Sequence, residues 1–126
     1  MQIAIVGLGR MGGNIARRLL QAGHQAVVFD RNEGAVAELV AAGAVGAASL
    51  DELVERLVPP RAVWVMLPAG DPTEETIGRL SLRLDVGDVV IDGGNSFYKD
   101  DVRRAAELRA LGIDYVDVGT SGGIGG

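Results

Sequence analysis

Cysteine is missing altogether from this 126-residue sequence, and histidine and lysine occur once each, at His24 and Lys99. Without cysteine there is no disulfide framework and no thiolate to act as nucleophile or soft metal ligand, which fits a reducing cytoplasm as the expected location. One isolated histidine supplies no cluster with metal-ligand spacing, so no metal centre is expected. Basic residues do not gather in a block and the net charge is −5. Recognition of a phosphate backbone needs clustered positive charge, so nucleic acid is not an expected partner. Long apolar runs are missing too. The amino-terminal run from Ile3 to Leu8 has no basic region before it, is too short for a signal-peptide core and is followed at once by glycine. Nothing approaches the length of about 20 apolar residues that crosses a bilayer, so no membrane partner is expected.

Glycine, by contrast, is abundant. The 19 glycines lie far above the usual share of about 7% and cluster at the ends of apolar runs without a collagen-like period, marking tight turns. A hydrophobic content of 48% in a chain of this length suits one compact unit stable without disulfides or a structural metal.

The apolar pattern alternates between strand and helix periods. Gln2 to Val6 reads as a buried strand, and Met11 to Gln21 as a helix stopped by Gly23. Gln25 to Asp30 is a second strand; Asn32 then caps a helix carrying Val36, Leu39 and Val40 that ends at Gly43. Ala44 to Ala47 is a short third strand, and Ser49 with Glu52 forms a capping box for a helix through Leu53 and Leu57, closed by Pro59 and Pro60. Arg61 to Leu67 is a continuous apolar strand, and Asp71 or Thr73 starts a helix through Ile77, Leu80 and Leu84. Asp88 to Asp92, a helix from Asp100 to Leu111, and Ile113 to Val118 complete the series. Parallel strands joined by helical crossovers give an α/β fold of three layers with a doubly wound, Rossmann-type parallel sheet spanning 1–126.

The strongest motif is Gly7-Leu8-Gly9-Arg10-Met11-Gly12, which follows a strand, opens a helix and precedes Asp30 at about the spacing expected of a ribose-binding acid. Gly7 permits the tight turn, Gly9 lets backbone approach a pyrophosphate, and Gly12 lets helix and strand pack closely. The helix amides then face the phosphates. Asp30 can accept hydrogen bonds from ribose hydroxyls and would repel a 2′-phosphate, so NAD is the expected cofactor and NADP the alternative. Arg31 works against that preference, because a guanidinium can stack on adenine or pair with the phosphate. Leu67-Pro68-Ala69-Gly70, Gly93-Gly94-Asn95-Ser96 and Ser121-Gly122-Gly123 each follow a strand on the carboxyl edge of the sheet, where open α/β sheets bind ligands. Taken singly, each also reads as ordinary turn chemistry.

These segments, together with Ile5-Val6 before the first motif, Val65-Met66 before the second, Ile91-Asp92 before the third and Tyr115 to Thr120 before the fourth, resemble 6-phosphogluconate dehydrogenase in content and order. The Gly-Gly-Asn-Ser block separates that family from the related 3-hydroxyisobutyrate dehydrogenases. The resemblance implies oxidation of a sugar acid's C3 hydroxyl with hydride transfer to a nicotinamide, decarboxylation of the 3-keto acid and protonation of the enediol, giving ribulose 5-phosphate from 6-phosphogluconate. It implies cofactor contacts from Gly7, Leu8, Gly9, Arg10, Met11, Gly12, Asp30, Arg31, Asn32, Leu67, Pro68 and Ala69. Asn95 would touch both cofactor and substrate, and Ser121, Gly122 and Gly123 would hold the sugar acid. Asp30 stands where larger NADP-dependent members carry a neutral residue, so the sequence resembles the shorter, NAD-preferring subgroup.

The resemblance also places the family's general base, general acid, substrate-phosphate contacts and dimerising helical domain beyond Gly126. No catalytic acid or base is therefore expected in this chain, which is expected to be a truncated domain, inactive alone, of a homo-oligomeric protein. Lys99 lies close after Asn95, but it opens a charged stretch with Asp100, Asp101, Arg103 and Arg104 that reads as a solvated helix face. Two other functions fit the motifs: a 3-hydroxyacid dehydrogenase of the sister group, and a non-catalytic dinucleotide sensor.

Overall fold

The computed structural model describes residues 1–67, 71–93 and 98–118. Six strands, β1 (Gln2–Val6), β2 (Gln25–Phe29), β3 (Val45–Gly46), β4 (Ala62–Val65), β5 (Val89–Asp92) and β6 (Asp114–Asp117), form one sheet in the order β3-β2-β1-β4-β5-β6. Every pairing is parallel. Five helices connect them: α1 (Arg10–Gln21), α2 (Glu33–Ala41), α3 (Leu50–Glu55), α4 (Asp71–Arg83) and α5 (Tyr98–Ala110).

The two-residue strand period divides the core. On β1, Ala4 and Val6 join Val27, Leu53, Val63, Leu80, Val90 and Leu108 in one buried cluster. Ile3 and Ile5 point the other way and pack with Ala16, Val28 and Leu39. Helices α1 and α2 therefore cover one face, and α3, α4 and α5 the other, which makes the three-layer, doubly wound fold expected from the sequence. The chain crosses from β3 over to β4 beside β1, so the strand order reverses between β1 and β4, the place in open α/β sheets where ligands bind at the carboxyl edge.

Three helices stop in the same way. After α1, Gly23 adopts φ +88°, the His24 amide donates to the Leu19 carbonyl at 2.9 Å and the Gly23 amide to Leu20 at 3.1 Å. The same pair of bonds recurs at Gly43 after α2 and at Gly112 after α5. A left-handed residue here reverses the chain and satisfies orphan carbonyls, and glycine does so without a Cβ clash.

Several boundaries differ from the sequence expectations. Strand β2 stops at Phe29 and leaves Asp30 just outside the ladder, while β3 is an edge strand of only two residues. Strand β4 is shorter than the apolar run that contains it, α5 begins at Tyr98 rather than Asp100, and α3 ends at Glu55. Leu57 is nevertheless buried in the turn that follows. The capping box is offset: the Glu52 amide donates to Ser49 Oγ at 3.1 Å, but Glu52 Oε1 accepts from the amide of Ala48, one residue earlier than the usual return bond, at 2.8 Å.

At the amino edge of the sheet, buried Asp88 accepts from the amides of Arg61 (2.6 Å) and Asp85 (2.8 Å) and from the Arg61 guanidinium (3.1 Å), joining the entries to β4 and β5. Burial by itself would raise the Asp88 pKa; the two amide bonds and the Arg61 side chain outweigh it and hold the carboxyl below its ordinary value. Among the described residues no helix is long and apolar enough to cross a membrane.

Candidate functional site

The glycine-rich turn leaves β1 and enters α1 through three glycines with different surroundings. Gly7 has φ +96°, and a Cβ on it would lie 2.4 Å from the Met66 carbonyl oxygen. A Cβ on Gly12 would lie 1.9 Å from the Gly7 carbonyl oxygen, whereas a Cβ on Gly9 would meet nothing within 4 Å. The turn is closed against backbone at both ends and open in the middle. Gly9 is the N-cap of α1, with no side-chain cap and no acidic residue in the first turn. The unsatisfied amides and the helix dipole therefore present a positive end at that opening, ready for an anion.

Asp30 is fastened to this turn. Its Oδ2 accepts from the Leu8 amide at 2.6 Å and its Oδ1 from the Asn32 amide at 2.8 Å. One carboxylate thus bridges the β1–α1 turn and the connection from β2 to α2. The Asn32 Oδ1 accepts from Gly34 and Ala35 amides at 2.9 and 3.2 Å, so that side chain caps α2. Arg10 and Met11, in the first turn of α1, and Arg31, directly after Asp30, are exposed. Arg31 also lines an open cavity of about 740 Å³ with Phe29, Ser49, Thr76, Arg79 and Leu82, between the end of β2 and helices α3 and α4. These features fit a dinucleotide: an uncapped helix terminus over a bare glycine, an acid at the end of β2, and a groove flanked by a guanidinium.

Leu67 is half-buried, and its carbonyl accepts from buried Thr73 Oγ1 at 3.4 Å, which ties the exit of β4 to the first turn of α4. Pro68, Ala69, Asn95, Ser121, Gly122 and Gly123, expected from the sequence to touch cofactor or substrate, lie outside the described residues. Strands β4, β5 and β6 nevertheless end on the same edge as the glycine-rich turn, since all are parallel to β1.

The charged stretch of α5 is not wholly a solvated face. Arg103 is exposed and pairs with Glu107 at 2.9 Å and with Glu74, but Arg104 is only 3% exposed. Helical spacing places Arg104 one turn before buried Leu108, on the side that meets the sheet. Its Nε donates to Glu74 Oε1 at 3.2 Å, and its NH1 lies 3.6 Å from Oδ2 of fully buried Asp92. Tyr115 donates its hydroxyl to the same Asp92 oxygen at 2.6 Å. Burial would lower the Arg104 pKa, but Glu74 and Tyr115 outweigh it and raise it. Burial likewise would raise that of Glu74, and hydrogen bonds from Arg103 and Arg104 hold it below its ordinary value. The sequence reading missed this cluster; the available signal was the i, i+4 relation of Arg104 to Leu108.

Comparison with known proteins gives consistent results. A family model described as the NAD binding domain of 6-phosphogluconate dehydrogenase matches residues 2–126. A relative from Haloferax volcanii, named 6-phosphogluconate dehydrogenase, NAD(+)-dependent, decarboxylating, is 47% identical over 126 residues, covering 100% of this chain and 41% of the relative. The chain thus spans less than half the length of that relative. Among solved structures, a Plasmodium falciparum 6-phosphogluconate dehydrogenase studied with NADP+ and with 6-phosphogluconate superposes with a TM-score of 0.83 at 26% identity, over 91% of this chain and 26% of that one. A Mycobacterium tuberculosis 3-hydroxyisobutyrate dehydrogenase also gives 0.83 at 26% identity, over 92% and 39%.

Proposed function

The chain belongs to the family of 6-phosphogluconate dehydrogenase NAD-binding domains, and from that premise we propose that it is the coenzyme-binding part of an enzyme that oxidatively decarboxylates 6-phosphogluconate to ribulose 5-phosphate. The observation that carries the reading is the contrast among three glycines: Gly7 and Gly12 are closed by backbone, while Gly9 stands open under the uncapped end of α1. Open space beside Gly9 at the positive helix end is what the close approach of an anion requires. The pyrophosphate rests there, the adenosine ribose reaches Asp30, and the adenine takes the groove beside Arg31.

NAD is the preferred form. The Asp30 carboxylate is fixed by the Leu8 and Asn32 amides and keeps lone pairs for ribose hydroxyls, but it sets a negative charge where a 2′-phosphate would sit. The name of the Haloferax relative points the same way. The bound dinucleotide accepts the hydride from the sugar acid. This chain binds and orients it, Asn95 meets both ligands, and Ser121, Gly122 and Gly123 hold the sugar acid. A helical domain matching the remaining length of the relatives supplies the groups that move protons.

Calorimetric titration of the chain with NAD and NADP, with and without 6-phosphogluconate, tests this reading. Saturable NAD binding that exceeds NADP binding is expected, with little effect of the sugar acid on the isolated domain. Tighter binding of NADP would overturn the cofactor preference, and no binding of either to folded chain would overturn the coenzyme role.

A further inference from the structure

The carboxyl end of β2 separates two cavities of opposite charge. On the α2 side, Asp30, Glu33 and Glu52 line a cavity of about 410 Å³. On the side of α3 and α4, the groove of about 740 Å³ is lined by two cations, Arg31 and Arg79, and one acid, Glu75. Phe29 and Ala48 belong to both walls. Asp30 and Arg31 are thus neighbours in sequence that line different cavities. Neither guanidinium of the groove is engaged elsewhere: among the described residues, Arg31 and Arg79 make no ion pair and no side-chain hydrogen bond. Arg83, one turn after Arg79 on α4, shows the contrast, since its Nε donates to Asp51 Oδ1 at 2.7 Å and its NH2 to Asp51 Oδ2 at 3.1 Å. Asp51 is taken by that pair. Glu75 lies four residues before Arg79, a helical spacing that favours an ion pair, yet the two form none.

We infer that Arg79 is a second determinant of coenzyme choice: with Arg31 it makes the α4 side of the groove attractive to the 2′-phosphate of NADP, against the repulsion of Asp30. The inference rests on the reading of the glycine-rich turn and Asp30 as the coenzyme site. A guanidinium whose donors are not spent on a carboxylate offers a planar fork that matches phosphate oxygens. Charges on the wall of a groove also act beyond contact, because salt at physiological strength screens them only over about 8 Å. The ribose that reaches Asp30 therefore stands between an acidic cavity and a groove with one excess positive charge. Preference for NAD is then a difference between opposing charges, Asp30 and Glu75 against Arg31 and Arg79, rather than a lack of groups able to hold a phosphate. Arg79 enters this balance through the packing of α4 beside α3, far along the chain from the glycine motif.

Calorimetric titration of the whole chain with NAD and with NADP tests this in wild type, Arg79→Gln, Glu75→Gln, Asp30→Asn and the Asp30→Asn/Arg79→Gln pair. Arg79→Gln is expected to weaken NADP about three-fold or more beyond any change in NAD, and Glu75→Gln to shift the ratio of the two affinities the opposite way. Asp30→Asn is expected to favour NADP over NAD by about ten-fold relative to wild type, and the added Arg79→Gln to remove most of that gain. Adenosine 2′,5′-bisphosphate against 5′-AMP repeats the comparison without the nicotinamide half. A ratio of NADP to NAD affinity that Arg79→Gln leaves unchanged in both backgrounds would overturn the proposal. Equal weakening of both dinucleotides would overturn it too, making Arg79 a contact to the adenosine they share. Asp30 accepts from the Leu8 amide, so if Asp30→Asn does not fold, Arg79→Gln and Glu75→Gln decide, since both of those residues are exposed. Failure of folded wild type to bind either dinucleotide would overturn the coenzyme reading and this proposal with it, whereas an unchanged ratio with binding intact overturns the proposal alone.

Discussion

Gly9 and Gly12 lie on the same turn, three residues apart, and one methyl group distinguishes what each does. At Gly12 the methyl would sit on the Gly7 carbonyl, so Gly12→Ala must push α1 away from β1. A cost of about 1–3 kcal/mol or more is expected, read as a lower denaturation midpoint, with dinucleotide binding lost as well. At Gly9 the backbone has φ −66° and free space around it, so Gly9→Ala should melt within a degree or two of wild type, a small effect for a strain-free surface change. Its methyl would nevertheless stand in the opening, and NAD affinity should fall by about ten-fold or more. A Gly9→Ala chain that binds NAD as wild type does would show that the ligand does not approach this residue.

At the scale of single elements, two contacts lend themselves to measurement. Ser49 caps α3 through the Glu52 amide, so Ser49→Ala should cost about 1 kcal/mol in urea denaturation. Asp88 links the entries to β4 and β5, and its depressed pKa means that the folded chain holds the acidic proton less tightly than the unfolded one does. Its stabilising contribution is thus complete above the unfolded value of about 3.9 and disappears as the pH falls through the lower folded value. Asp88→Asn should be less stable at neutral pH and should lose less stability than wild type on acidification below about pH 4. An equal fall of melting temperature in the two proteins on acidification would rule this out.

Elements also show what was legible beforehand. The alternation of apolar periods revealed the strands and helices of the described residues, because Val27, Val63 and Val90 on strands and Leu39, Leu80 and Leu108 on helices each face a core. Asp30 was legible because its position after β2 is tied to the glycine motif. Arg104 was not, because Arg103-Arg104 reads as one charged patch until the side of α5 that meets the sheet is known. The offset of the Glu52 bond to Ala48 was hidden for a similar reason: spacing shows which groups can meet and leaves open which of two neighbouring amides is taken.

Across the whole molecule, the reversal of strand order between β1 and β4 brings the glycine-rich turn and the β5 exit to either side of a single strand. Met66, the residue after β4, lies against both: its carbonyl oxygen would stand 2.4 Å from a Cβ at Gly7, and its sulfur 2.3 Å from one at Gly93. This shared wall bears on how the domain can diverge. A mutation that moves Met66 disturbs the glycine-rich turn and the β5 exit in one step, so under the proposed function the two are not free to change independently. Under the same reading, lineages or laboratory libraries that alter cofactor use while leaving the β5 exit alone work from the β2 edge, at Asp30 and Arg31, which bear on the glycine-rich turn through the Leu8 amide rather than through Met66.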